Sequence, residues 1–225
     1  MDVVFTSYYT LDSPYQEAAV ILRESLLRFG LMPDIRGRPH SGSWQANTHQ
    51  KINHLLDVFR DYSDCAVVWI DADGEVIRFP KVFVNDMASR NYTFGAHIFK
   101  HGQRGELQRD ELLGGTMWFG SGPLRTLFLE EVLELICDAP HRNYGEQVYI
   151  QEVHENWYET SIQPGWQFLD LPVGYCAIYD RLVAEPVIVH YQASRNLRHH
   201  MSGDRQGHLE AWQRRYKEAR GLLCR

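Results

Sequence analysis

The sequence predicts an α/β fold: a mixed, mainly parallel central sheet flanked by helices, in a single domain. Three observations predict it. Apolar strand-like runs alternate with helical periodicity through the first 70 residues, which gives a β-α-β-α-β order. The run "CAVVWI" at residues 65–70 shows almost no alternation, as expected of a strand covered on both faces. A chain of 225 residues with 44% hydrophobic side chains is long enough to bury one full core.

Each element has a local reason. Val3, Val4 and Phe5 form a short apolar strand that opens into the polar "TSYYT". Ser13 can cap a helix, Pro14 suits its first position and Gln16, three residues after Ser13, completes a capping box. Leu22, Leu26 and Phe29 then share one face until Gly30. A strand and loop follow in "LMPDIRGRPH". In the second helix Ile52, Leu55, Leu56 and Phe59 keep the i, i+3, i+4, i+7 spacing, with Asn47 and Lys51 off that stripe.

Beyond the "CAVVWI" strand, residues 85–109 are polar and hold Gly95, Gly102 and Gly105, which predicts a long loop able to cover a ligand. "ELLGGTMWFG" predicts a strand containing a glycine pair, and a helix from Pro123 turns Phe128, Val132, Leu135 and Ile136 inward. A shorter helix is expected in "GEQVYIQEVHEN", then two late strands in "WQFLDLPVGYCAIYD" and "EPVIVHY". After Gly203 a last amphipathic helix places Leu209, Trp212 and Tyr216 in register, making 204–225 a basic appendage to a body spanning 1–203.

Composition narrows the function classes. No run of eighteen apolar residues occurs, and "MDVVFTSYYT" has no positive segment followed by a greasy one, so a cytoplasmic protein without a membrane span is expected. Cys65, Cys137, Cys176 and Cys224 are widely spaced with no CxxC pair, which reads as core thiols in a reducing compartment. The formal charge is −6, but residues 195–225 carry eight Arg or Lys against three acids, leaving the first 194 at −11. Such a basic arm fits either phosphate contact or a solvated helix face.

The chemically loaded stretch is "VVWIDADGEVIRFP". In an extended chain alternate residues share a face, so Asp71 and Asp73 project together beyond the strand end, where open α/β sheets bind ligands. Two adjacent carboxylates repel each other unless a cation joins them, and hard divalent ions prefer oxygen. "DADG" is equally a good turn sequence.

Several pieces occur together in order: "FTSYYT", "SPYQEAAVILRESLLRFGL", "GSWQANTHQK", "VVWIDADGEVIRFP", "ELLGGTMWF", "GEQ" and "VIVHYQASR". This series resembles the nucleotide-diphospho-sugar transferases of the GT-A type, whose Rossmann-like fold carries an Asp-x-Asp motif. The resemblance covers most of the chain up to Arg195. It implies a nucleotide-binding half at 1–84 and a sugar and acceptor half at 85–203.

The resemblance also implies site residues. Thr6, Ser7 and Tyr8 would lie near the base and ribose, with Asn47 and Lys51 facing the nucleotide sugar, although an ordinary surface lysine fits Lys51 as well. Asp71 and Asp73 would hold manganese or magnesium, with His190 as a third ligand; without the resemblance His190 reads as a buried, hydrogen-bonded histidine. Ser194 and Arg195 would reach the diphosphate. Gly115, in the Gly114-Gly115-Thr116 segment, would let backbone approach the ligand, although a β-bulge gives the same sequence. Glu146 and Gln147 would bind donor hydroxyls or assist reaction, with Glu146 also suited to a helix first turn.

The implied activity is metal-dependent transfer of a sugar from a nucleoside diphosphate sugar, expected to be UDP-linked, to a hydroxyl acceptor such as a glycan, metabolite or protein. A hydroxylated DNA base is an alternative acceptor, held by Trp118, Trp157, Tyr158 and Trp166. A two-metal phosphohydrolase or nucleotidyltransferase, or a silent nucleotide-binding module, are alternatives from other classes. Two features depart from the family pattern: Ile52 follows Lys51 where many relatives have proline, and the basic tail is extra.

Overall fold

A computed structural model describes residues 2–87, 90–101, 110–138, 144–179 and 183–192, with 210, 213–214 and 217–218 of the C-terminal segment. Strand β1 (Val3–Thr10), helix α1 (Tyr15–Arg28), β2 (Met32–Arg38), α2 (Trp44–Asp61) and β3 (Ala66–Ile70) form the expected β-α-β-α-β start. β4 (Gly74–Val76), a π-helical turn (Val82–Met87), β5 (Phe94–Phe99) and β6 (Glu111–Phe119) follow. Then come α3 (Leu124–Asp138), α4 (Glu146–Thr160), β7 (Phe168–Asp170), a 3₁₀ turn (Val173–Tyr175), β8 (Ala177–Ile178) and β9 (Ile188–His190).

The main sheet has the order β2-β1-β3-β6-β5-β7. β1 pairs in parallel with β2 and β3, and β5 in parallel with β7, whereas β6 runs antiparallel to both of its neighbours. β3 is buried at every residue, which explains its missing alternation: Val67 and Trp69 point to one core, and Ala66, Val68 and Ile70 to the other. The first core packs Leu55, Phe59, Phe128, Ile150 and Trp157 from α2, α3 and α4 against the sheet. The second packs Leu22 and Leu26 of α1 with Phe83, Trp118 and Tyr175. Each large apolar side chain so buried is worth about 1.5–3 kcal/mol.

Local signals act largely as read. Ser43 caps α2, its hydroxyl accepting from the Ala46 N–H at 3.0 Å. α1 begins one residue later than the proline suggested, with the Ser13 hydroxyl accepting from Tyr15 N–H at 3.3 Å and its carbonyl from Gln16 N–H at 3.1 Å. The helix ends at Arg28, before Gly30.

Four expectations are corrected. The stretch 85–109 is not one long loop: Phe94–Phe99 form β5, because β6 offers an apolar partner strand and Phe94, buried, anchors the pairing. The helix expected to be short extends to Thr160 and matches α3 at 15 residues, since Val153 and Trp157 continue its buried face. "WQFLDLPVGYCAIYD" is not one strand but β7, a 3₁₀ turn and β8, split between two sheets where Pro172 interrupts. Of the described cysteines only Cys176 is buried; Cys137 is exposed and Cys65 partly so.

β9 is the strand expected in "EPVIVHY", but its assembly with β4 and β8 into a second, three-stranded sheet, β4-β9-β8, was not expected. That sheet positions the site described next. The expected C-terminal helix lies largely outside the described residues; within it Gln213 donates to Glu17 of α1 at 3.1 Å. Among the described residues no helix is long and apolar enough to cross a membrane.

Candidate metal centre and cleft

β3 ends at Ile70, and the next four residues make a turn in which Gly74 N–H donates to Asp71 O at 2.8 Å. The turn and the carboxylate pair are therefore one structure: the turn is what brings Asp71 and Asp73 together. β4 leaves that turn and pairs antiparallel with β9, with Gly74 opposite His190. Tyr191 N–H donates to Asp73 O at 3.1 Å, locking the register. Asp71, Asp73 and His190 each present a ligand atom within 4.8 Å of the other two.

The imidazole of His190 is tightly framed. A Cβ on Gly115 would lie 3.2 Å from its Cε1, and one on Gly74 3.4 Å from the same atom, so the backbone at both positions stands where a side chain would crowd the ring. Nε2 lies 2.8 Å from Thr116 Oγ1. Nδ1 is buried without a hydrogen-bond partner and 3.9 Å from Asp73 Oδ1. A bare buried nitrogen beside a carboxylate pair is what a divalent cation would satisfy, with Thr116 fixing the ring from its other side. Burial alone would lower the His190 pKa, but Cys176 and Asp73 carry it up to about 10. A divalent cation would take the place of that proton, and two carboxylates with an imidazole are a donor set for such an ion.

Asp71 is held differently. Its Oδ1 accepts from the indole N–H of Trp69 at 2.8 Å and lies 3.0 Å from Lys51 Nζ. Lys51, almost wholly buried on α2, also pairs with Glu146 Oε1 at 2.5 Å, donates to Gly114 O at 3.1 Å and sits 4.8 Å from the Trp69 ring centre. Burial opposes the lysine's charge, but Asp71 and Glu146 more than compensate and raise its pKa. For Asp71, burial raises the pKa against the pull of Lys51, and Asp73 adds to the rise.

These groups border a cavity of about 650 Å³ at the edge where β1 and β3 end. Tyr8, Asn47, Lys51, Asp71, Asp73, Gly115, Glu146, Gln147 and His190 all line it; Thr6 and Ser7 do not. Thr6 is buried, donating to Asp34 O at 2.8 Å, with His54 Nε2 2.8 Å away. Ser7 is buried with its hydroxyl unpartnered. Tyr8 donates to Asn47 O, while the Asn47 side chain accepts from Ser41 N–H. Lys51 faces carboxylates rather than solvent. Glu146 opens α4 as its first-turn acid and also lines the cavity. Gln147 spends its amide on neighbours, accepting from Gly114 N–H at 3.0 Å and donating to Glu111 at 2.9 Å. Gly114 and Gly115 lie where the β5–β6 register shifts, so the bulge reading is also correct. Ser194 and Arg195 fall outside the described residues.

Trp69 and Glu111 are site neighbours for which the sequence suggested no role, and Thr116, named there only with its glycines, holds the His190 ring. Trp69 had a usable signal: it stands two residues before Asp71 on an extended chain, hence on the same face. The aromatics proposed to hold a DNA base are mostly core: Trp118 and Trp157 are fully buried, Trp166 packs against the core, and only Tyr158 is exposed. Glu75, the nearest further acid, turns to Tyr191, whose hydroxyl donates to it at 2.9 Å.

No protein-family model matches this chain, and no curated protein does. Solved structures are similar to it. A glycosyltransferase involved in the glycosylation of the major capsid of PBCV-1 aligns with a TM-score of 0.64 at 13% identity, over 95% of this chain and 99% of that one. The galactosyltransferase LgtC, in complex with donor and acceptor sugar analogues, aligns with a TM-score of 0.52 at 12% identity, over 97% and 96%. The glycosyltransferase GlyE of Streptococcus pneumoniae TIGR4 gives 0.54 at 14% identity, over 96% of this chain and 60% of GlyE. The fold is that of GT-A glycosyltransferases, a mixed sheet with flanking helices.

Proposed function

We propose that this chain is a metal-dependent glycosyltransferase that moves a sugar from a nucleoside diphosphate sugar, UDP-linked, to a hydroxyl acceptor. One observation carries the reading: Asp71, Asp73 and His190 converge in the cleft of a GT-A fold, with a buried imidazole nitrogen that lacks a partner. When bound there, manganese or magnesium would supply Lewis acidity that neutralises charge on a leaving diphosphate.

The chain's own residues do the rest. Asp71, Asp73 and His190 would hold the cation; Trp69 and Lys51 fix Asp71, and Thr116 fixes His190. Glu146, anchored by Lys51 in the cavity wall, presents its carboxylate to a hydroxyl of the donor sugar. In the transfer the acceptor oxygen bonds the anomeric carbon. The bond from that carbon to the diphosphate oxygen breaks, its electron pair leaves on the diphosphate, and the hydroxyl proton passes to it or to solvent. Among the described residues the metal group contains no further carboxylate, which favours this chemistry over a two-metal hydrolase.

The test is donor turnover. Wild type incubated with a panel of nucleoside diphosphate sugars and manganese is expected to release nucleoside diphosphate from the uridine member, and to stop when the metal is chelated. Release of nucleoside monophosphate instead, or no release from any donor, would reject the proposal.

A further inference from the structure

We propose that the β5–β6 ribbon forms the acceptor subsite, with Glu111 as its specificity-determining residue and an uncharged saccharide as its ligand; this rests on the transferase reading above. β3 stops at Ile70, opposite Thr116, while residues 111–115 of β6 continue past it, 111–113 pairing with the end of β5. The ribbon therefore stands beyond the sheet as a wall of the cleft. Along β6 the alternation turns Glu111, Leu113 and Gly115 into the cavity, and Phe99 and His101 join them from β5 and just beyond. Across the metal-ligand cluster, the wall formed by the end of β1 carries Tyr8, Tyr9 and Thr10. A nucleotide on the β1 side leaves the ribbon side for the acceptor.

The chemistry of that wall is specific. The Glu111 side chain is 45% exposed, yet its oxygens are steered: Gln147 Nε2 donates at 2.9 Å and His101 Nε2 lies 3.3 Å away. Phe99 packs edge-on with His101, ring centres 4.9 Å apart, and Leu113 adds apolar surface. An aromatic and apolar patch beside an oriented carboxylate suits a sugar ring, whose C–H face lies on Phe99 while its hydroxyls donate to Glu111. The carboxylate repels a phosphorylated acceptor.

The experiment uses the full chain with manganese and the donor it turns over, methyl glycosides as acceptor probes and glucose 6-phosphate as the charged counterpart. Glu111→Gln, which keeps an oxygen for Gln147, and Phe99→Ala are each expected to raise the methyl glycoside KM by about tenfold or more. Hydrolysis of the donor by water should be unchanged in both. Saturation-transfer NMR should show methyl glycoside contact in wild type that fades in both variants. An unchanged acceptor KM, a fall in donor hydrolysis in step with transfer, or preference for glucose 6-phosphate would overturn the subsite. Absence of donor binding and hydrolysis in wild type would instead overturn the transferase reading itself.

Discussion

The two carboxylates after β3 live in opposite conditions. Asp71 is held through one oxygen, Oδ1, which takes both the Trp69 indole and Lys51, and Lys51 goes on to Glu146 and Gly114. Asp73 faces His190, whose Nδ1 is buried with nothing to bond. The first arrangement is scaffolding that four elements, α2, β3, β6 and α4, share through one lysine. The second places an imidazole nitrogen beside a carboxylate, the donor pair a cation would use. Polar groups buried in pairs hold a shape, and a polar atom buried alone marks where a ligand restores the balance.

The largest expected effect breaks the paired side. Lys51→Met keeps the apolar stem but leaves Glu146 buried opposite no cation, and such a loss costs about 3–5 kcal/mol. Chemical denaturation should show that drop with the slope unchanged. A loss below about 1 kcal/mol would mean that the pair is not buried in solution and that Lys51 is free for a ligand.

A smaller effect sharpens the same contrast through pH. His54 belongs to the paired side, with Nε2 2.8 Å from Thr6 Oγ1 and Nδ1 accepting from Arg38 at 3.3 Å. Burial, with Arg38 and Arg36 adding, pushes its pKa down to about 3, and burial takes His154 down to about 4. Below the unfolded value near 6.5 the unfolded chain binds protons that these rings refuse. The stability contributed by these two neutral rings is therefore full above about pH 6.5 and falls as pH drops toward 4, by about 1.4 kcal/mol per unit for each histidine. Melting temperatures of wild type and His54→Gln across that window should show a flatter profile in the variant. Parallel profiles would place the lost stability elsewhere.

The scaffold was legible in the sequence, while of the small sheet only the apolar run holding β9 was, and its pairing was not, for physical reasons. α1, α2 and β3 carry enough consecutive periodic residues for burial to write itself into the pattern. β4, β8 and β9 are two or three residues long, too short to show any period, and their pairing is set by Gly74 meeting His190 from far along the chain. β5 was masked by Gly95 within it and by the polar residues around it. Within the site, the Asp-x-Asp pair was visible because strand geometry alone puts both carboxylates on one face. Lys51, off the apolar stripe of its helix, read as facing either the nucleotide sugar or solvent, and nothing local reveals that Glu146 reaches it from α4. Glu111 gave no signal until β6 was seen to outrun β3.

The central claim is that Asp71, Asp73 and His190 await a divalent cation that in turn holds a diphosphate. Calorimetric titration of UDP into wild type and Asp73→Ala, with manganese and with chelator, tests it most directly. The account predicts saturable UDP binding to wild type that requires manganese and vanishes in Asp73→Ala, while the folded signal by circular dichroism stays intact. UDP binding of equal strength with and without the metal, or undiminished in the variant, would contradict it.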